Sequence, residues 1–222
     1  MNTNALKLYA ASIIANNLVL RQRIPLYSID PYPNGSFTCE DTGNVQYITD
    51  EYRILRINEE VPDIPKATIL PSDKVKSIVN LSNSLYHKFY KDCNDGFHMI
   101  YSSHEKIENL ISILKENISK YGIYSVLKIK SSDGKFDYYL NAQLLSEMII
   151  GLGFINNPNQ PFELLFLGET SYDNEYCGIV IKTENAMSSL ETMKIDRMVE
   201  LEKSIEFPNY ILNPYKIVEV NF

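Results

Sequence analysis

Tryptophan is absent from the 222 residues, and cysteine occurs three times. Cys39, Cys93 and Cys177 are far apart and odd in number, which argues against a disulfide scaffold and for a reducing, cytoplasmic setting. Long apolar runs are missing too. None reaches the roughly 20 residues that a membrane-spanning helix needs, so no membrane partner is expected. The opening segment MNTNALKLYAASIIANN has small residues and a short apolar stretch, as a signal peptide has, but its apolar positions follow a helical face. It reads as an amphipathic helix of the mature protein. Positive charge is in deficit: 21 basic against 28 acidic side chains leave a net charge of −7. Nucleic-acid affinity draws on lysines and arginines that displace phosphate counterions, so the chain makes a poor general nucleic-acid binder. A phosphate loop is also wanting. Gly151-Leu152-Gly153 follows a helical stretch instead of preceding one, and so offers a phosphate no helix N-terminus.

What is present favours a packed core. Hydrophobic residues make up 45% of the chain, enough to bury one large domain or two small ones. The 16 tyrosines suit half-buried strand faces, where the ring packs and the hydroxyl stays wet. Charge is uneven, with −2 over residues 1–66, +3 over 67–130 and −8 over 131–222. The middle third could therefore present a basic patch within an acidic protein.

Along the chain, Leu6, Tyr9, Ala10, Ile13 and Ile14 recur at helical spacing, and Asn16-Asn17 reads as the end of that helix. LVLRQRIPLYSI (18–29) alternates like a strand, with Pro25 favouring an edge or a bend. A loop, a hairpin and a third strand, RILRINEE, follow. VPDIPKATILPSD (61–73) has a linker-like, proline-rich character. Ser72 can cap a helix carrying Val75, Ile78, Val79, Leu85 and Phe89. Residues 91–103 read as a polar connection. A second helix carries Ile107, Leu110, Ile111, Leu114 and Ile118 and stops at Gly122. Then YSVLKIK and KFDYYL form a hairpin around SSDG, Asn141 caps a short helix, and FELLFLGE and CGIVIKTE are two more strands. Residues 186–206 allow a helix, and the last sixteen residues hold one more strand. The order is αβββ, two inserted helices, then ββαββ: an α+β chain whose flanks echo one another. The expectation is one antiparallel sheet system with short helices on one face and an inserted two-helix segment.

Chemistry-bearing clusters are few. His87, Cys93, His98 and His104 fall within 18 residues. They could ligate zinc in principle, but the spacing matches no finger or ribbon, so no metal and no cofactor are expected. A Cys93–histidine nucleophile pair lacks any framing motif, and Asp92 and Asp95 oppose thiolate formation. Lys74, Lys88, Lys91 and Lys106 could touch nucleic acid or an acidic partner; interleaved acids make solvated helix faces the plainer reading. Asp50 and Arg53 sit in QYITDEYRILRI (46–57), where a carboxylate at a strand corner can accept backbone N–H bonds and pair with the arginine. They read as a structural corner.

Four stretches in order resemble the bacterial-type DNA polymerase sliding clamp. They are Thr49-Asp50-Glu51-Tyr52-Arg53-Ile54-Leu55, Val61-Pro62-Asp63 through Ile69-Leu70-Pro71, FDYYLNAQLLSEMIIGLG, and CGIVIKTENAMSSL. The resemblance covers residues 1–71 and 124–195. It implies a clamp-like α+β domain (1–66 and 124–195), an inserted helical hairpin (67–123), and an acidic C-terminal segment with a final strand (196–222). It also implies a non-enzymatic, macromolecule-binding protein with a protein partner, in DNA replication or a phage or mobile-element setting, and leaves a homo-oligomer open. Clamp chains hold four or six such modules, and this one holds two. The two matching helices offer Lys7 and Glu147 where clamps offer rows of cations, so weak nucleic-acid binding at most is expected. Two other readings stay open: a small metal- or cysteine-dependent enzyme centred on residues 87–104, and an acidic inhibitor of a DNA-processing protein.

Overall fold

Helix α1 (Thr3–Arg23) buries Leu6, Tyr9, Ala10, Ile13 and Ile14, the stripe that its sequence spacing places on one side. It runs past Asn16-Asn17, the end that the sequence suggests, and takes in residues 18–23, whose alternation suggests a strand. The reason lies across the fold. Asn16 Nδ2 donates to Asp50 Oδ2 at 2.9 Å, and Asn17 Nδ2 to the Thr49 carbonyl at 2.9 Å. An asparagine engaged this way no longer competes for its own backbone, so its helix-breaking tendency is lost. The computed structural model describes residues 3–23, 36–39, 45–50, 52–57, 68–70, 98–102, 107–122, 125–131, 137–157, 159, 163–169, 178–191, 193 and 195–212.

The architecture is α+β. Strands β1 (Ser36–Cys39), β2 (Gln46–Thr49) and β3 (Arg53–Ile57) form an antiparallel meander, as do β8 (Glu163–Glu169), β9 (Gly178–Lys182) and β10 (Ala186–Glu191). The two meanders meet where β3 pairs antiparallel with β10, Leu55 opposite Ser188. With β4 (Thr68–Leu70) and β5 (His98–Ser102) at the ends, the order across the sheet is β4-β1-β2-β3-β10-β9-β8-β5. A second sheet, β11-β6-β7, comprises β6 (Val126–Ser131), β7 (Asp137–Asn141) and β11 (Asn209–Leu212). Pairing is antiparallel except for β1 with β4 and β6 with β11. The single sheet expected from sequence is therefore two: β6 and β7 turn Leu127, Ile129 and Leu140 toward the main core, and Val126 and Tyr139 toward a small cluster with Met198 and Phe207.

Helix α2 (Ile107–Tyr121) ends at Gly122, whose φ of 60° explains the glycine. Helix α3 (Ala142–Gly151) starts on Asn141, whose side chain accepts from Leu144 N at 3.0 Å. Helix α4 (Ile195–Glu202) supplies Met198 to the small cluster. The main core joins Leu6, Tyr9 and Ile13 of α1, Leu110 and Leu114 of α2, and Leu145, Met148 and Ile149 of α3 to Ile48, Leu55, Ile179 and Ile181 of the large sheet. On the sheet's opposite face Tyr47, Ile54, Val180 and Met187 are buried as well, so the half-wet faces suggested by the tyrosine count do not hold there.

The segment 67–123 contributes β4, β5 and α2 to this body. Residues 98–102, read as part of a polar connection, form a strand because β8 supplies a partner, with Met99 opposite Gly168 and Ile100 opposite Leu167. The helix expected after Ser72, and its packing against α2, lie outside the described residues.

Candidate functional site

Asp50 closes the corner between β2 and β3. Its Oδ1 accepts the backbone N–H of Arg53 at 2.8 Å and of Tyr52 at 3.2 Å. Its Oδ2 accepts Arg53 Nε at 2.9 Å, Arg53 Nη2 at 2.7 Å and Asn16 Nδ2 at 2.9 Å. The guanidinium then reaches across to α3, where Nη1 meets Glu147 Oε2 at 2.6 Å. It lies 5.6 Å from the Tyr9 ring centroid, within cation–π range. Burial, the largest single influence, pulls the Arg53 pKa down, but the Asp50 charge, Tyr9 and the hydrogen bonds to Asp50 and Glu147 together outweigh it, so the guanidinium is held above its usual value. Burial lifts the Tyr9 hydroxyl far above the usual phenol value, partly offset by Arg53. That hydroxyl lies 2.8 Å from Ser188 Oγ, which itself donates to the Ile54 carbonyl at 3.2 Å. Because the serine has one hydrogen, Tyr9 donates.

The cluster joins α1, the β2–β3 corner, α3 and β10. Asp50 and Arg53 are closed off, at 0% and 1% exposure, whereas the Glu147 side chain is 32% exposed. Two carboxylates face one guanidinium. Beside Glu147 a groove of about 380 Å³ runs between α1 and α3, lined by Ala5, Leu8 and Ser12 on one side and Ile150 and Gly151 on the other. The helices touch at its base: a Cβ on Gly151 would overlap the Tyr9 side chain, with Tyr9 Cδ1 at 2.6 Å. A second polar cluster pins α4 to the small sheet. Lys128 Nζ meets both Glu202 oxygens at 2.9 and 2.8 Å, and Tyr139 Oη donates to Glu202 Oε2 at 2.8 Å. Partial burial pushes the Glu202 carboxyl up, but hydrogen bonds from Lys128 and Tyr139 prevail and hold it below the usual carboxylate range.

No family model, curated protein or solved structure matches this chain.

Of the residues singled out from sequence, Asp50 and Arg53 are brought together at the corner. Lys74, Lys88, Lys91, Lys106, His87, Cys93 and His104 lie outside the described residues. The backbone of His98 is in β5, opposite Glu169. Among the described residues no group of three or more His, Cys, Asp or Glu is arranged to hold a metal ion. The sequence reading missed Tyr9, Asn16, Glu147 and Ser188 as members of the Arg53 cluster. Glu147 carried a usable signal, being the one charged residue on α3. Ser188 carried none, because a serine in a strand is ordinarily unremarkable.

Proposed function

We propose that the chain is a non-enzymatic, macromolecule-binding protein built as a sliding-clamp-like domain, acting with a protein partner in DNA replication or in a phage or mobile-element setting. The observation that carries the reading is the doubled unit. Helix α1 precedes the β1–β3 meander, α3 precedes the β8–β10 meander, and the two meet at β3–β10 with both helices packed together against one face. The Thr49-Asp50 and Arg53 pattern falls on the corner that ties the first unit to the second. Fold-level likeness alone does not assign activity, so the reading turns on the partner.

Binding to DNA is weak in this reading. Among the described side chains the paired helices carry Lys7 against Glu147. One phosphate contact gives a log–log salt slope of about 1, too little to hold duplex DNA at physiological salt. Proximity labelling from the chain in its native cell tests the reading: proteins of DNA metabolism should be enriched. A labelled set without them overturns it. Titration with duplex and single-stranded DNA at two salt concentrations should show weak, salt-sensitive association, reduced when Lys74, Lys88, Lys91 and Lys106 are changed to alanine. Sub-micromolar binding that survives physiological salt contradicts the charge argument. Stoichiometric zinc in the purified protein would favour an enzyme centred on residues 87–104 instead.

A further inference from the structure

We infer that the groove between α1 and α3 is a docking site for a segment of a partner protein that presents a basic side chain beside an apolar one. The inference rests on the macromolecule-binding reading above and names the surface and the chemistry it takes. Three observations lead to it. The first is shape: about 380 Å³ of concave space lies between two packed helices, within the ~300–1,000 Å³ range of ligand sites. The second is the rim. Leu8 on α1 is 73% exposed and Ile150 at the end of α3 46%, and both line the groove. Single exposed apolar residues need no explanation, but two lining one concavity beside a carboxylate mark an interaction surface.

The third observation is charge, and it selects the occupant. The Asp50–Arg53–Glu147 cluster holds two carboxylates against one guanidinium. The surplus sits at its one partly exposed member. Glu147 Oε2 accepts Arg53 at 2.6 Å, with Ser12 Oγ 3.4 Å away but giving its one hydrogen to the Tyr9 carbonyl at 2.9 Å, whereas Oε1 accepts a single long bond from Gln143 Nε2 at 3.3 Å. A carboxylate oxygen has two acceptor sites, so Oε1 can accept a further donor. Arg53, fixed on the far side, keeps Glu147 aimed at the groove. A lysine or arginine entering along the apolar walls lays its methylenes on Leu8 and Ile150 and its head on Oε1. The chain's net charge of −7 favours encounter with such a partner. An acidic segment would meet the surplus carboxylate and is disfavoured.

Methyl-selective NMR of the full chain tests the assignment, following Leu8 and Ile150 during titration with three capped tripeptides. These have leucines flanking lysine, glutamine or glutamate. The lysine peptide should shift these methyls and bind about threefold or more tighter than the glutamine peptide, with the glutamate peptide weakest. Glu147→Gln should remove the preference for lysine. Leu8→Ser, at an exposed position that folding does not need, should weaken all three peptides and leave their order intact. Equal binding of lysine and glutamine peptides, shifts confined to other methyls, or a preference that survives Glu147→Gln each overturn the proposal. If Glu147→Gln fails to fold, indifference of all three affinities to Leu8→Ser overturns it. Labelled partners from DNA metabolism together with an unresponsive groove refute this site and leave the functional reading standing; a responsive groove with no such partners does the reverse.

Discussion

Replacing Arg53 with methionine isolates the energetics of the corner. Methionine keeps much of the arginine's apolar length and removes the charge. Asp50, at 0% exposure, then loses its Nε and Nη2 partners and keeps three neutral donors: two backbone N–H groups and the Asn16 amide. Glu147 also loses a 2.6 Å contact, but its one-third exposure lets water replace it. The cost therefore falls mainly on the stranded Asp50 charge, and breaking a buried pair in this way destabilises by about 3–5 kcal/mol. Against a total of roughly 5–15 kcal/mol for a folded domain, that is a large share. With a urea slope of about 2–3 kcal/mol per molar, the midpoint should fall by roughly 1–2.5 M. The double variant Asp50→Asn, Arg53→Met removes the stranded charge and should recover at least about 1 kcal/mol relative to Arg53→Met alone, since neutralising both partners is far cheaper than orphaning one. Urea melts followed by far-ultraviolet circular dichroism decide it. A loss under about 1 kcal/mol, the range of exposed ion pairs, or a double variant no better than the single one, refutes the view that Arg53 holds the corner through Asp50.

Gly151→Ala tests the α1–α3 contact. Its new methyl meets the Tyr9 side chain, and overpacking of this kind costs about 1–3 kcal/mol; a stabilised variant would show that the helices part easily. Leu110→Ala, at 1% exposure in the main core, should lose about 2–5 kcal/mol in the same melts, and a change under half a kcal/mol would contradict its burial. The docking of α4 should depend on pH. The folded Glu202 carboxyl lies below its unfolded value of about 4.3, so its contribution is complete above that value and is lost as pH falls through the lower folded one. The Met198 methyl resonance should report loosening of α4 in that acid window, and Glu202→Gln should remove the pH response; a Met198 signal unchanged by pH would separate the triad from α4 docking.

Much of the helical core was legible in the sequence because it is local. The stripes of Leu6, Tyr9 and Ile13 and of Ile107, Leu110 and Leu114, the Asn141 cap and the Gly122 stop all depend on residues within two turns of one another. The corner between β2 and β3 was legible for the same reason, since Asp50 and Arg53 are three residues apart. What failed depended on distant partners. Asn16 and Asn17 read as helix breakers until their amides find acceptors 34 and 32 residues away. His98–Ser102 has no strand signature of its own strong enough to outweigh its polar flanks, and its strand exists through β8. Glu147 meets Arg53 across 94 residues. The division of the strands into two sheets follows from which face each apolar side chain turns inward, and alternation alone does not choose between two available cores.

The junction at β3 and β10 has a consequence for the chain's birth. Ser188 Oγ closes onto the Ile54 carbonyl across 134 residues, so at a synthesis rate of about 5–20 residues per second β3 waits roughly 7 to 27 seconds for its neighbour. Local hairpins close in microseconds, which lets β1–β3 form almost at once, with the outer hydrogen-bonding edge of β3 open. That edge presents the backbone N–H and C=O groups of Arg53–Ile57, which pair with β10 in the complete fold. Until then it is a template for unintended pairing between nascent chains, and yield in the cell should rise when translation of the intervening residues is accelerated. Closure across such a long loop also places the ladder late among folding events, so mutations in β10 should speed unfolding more than they slow folding.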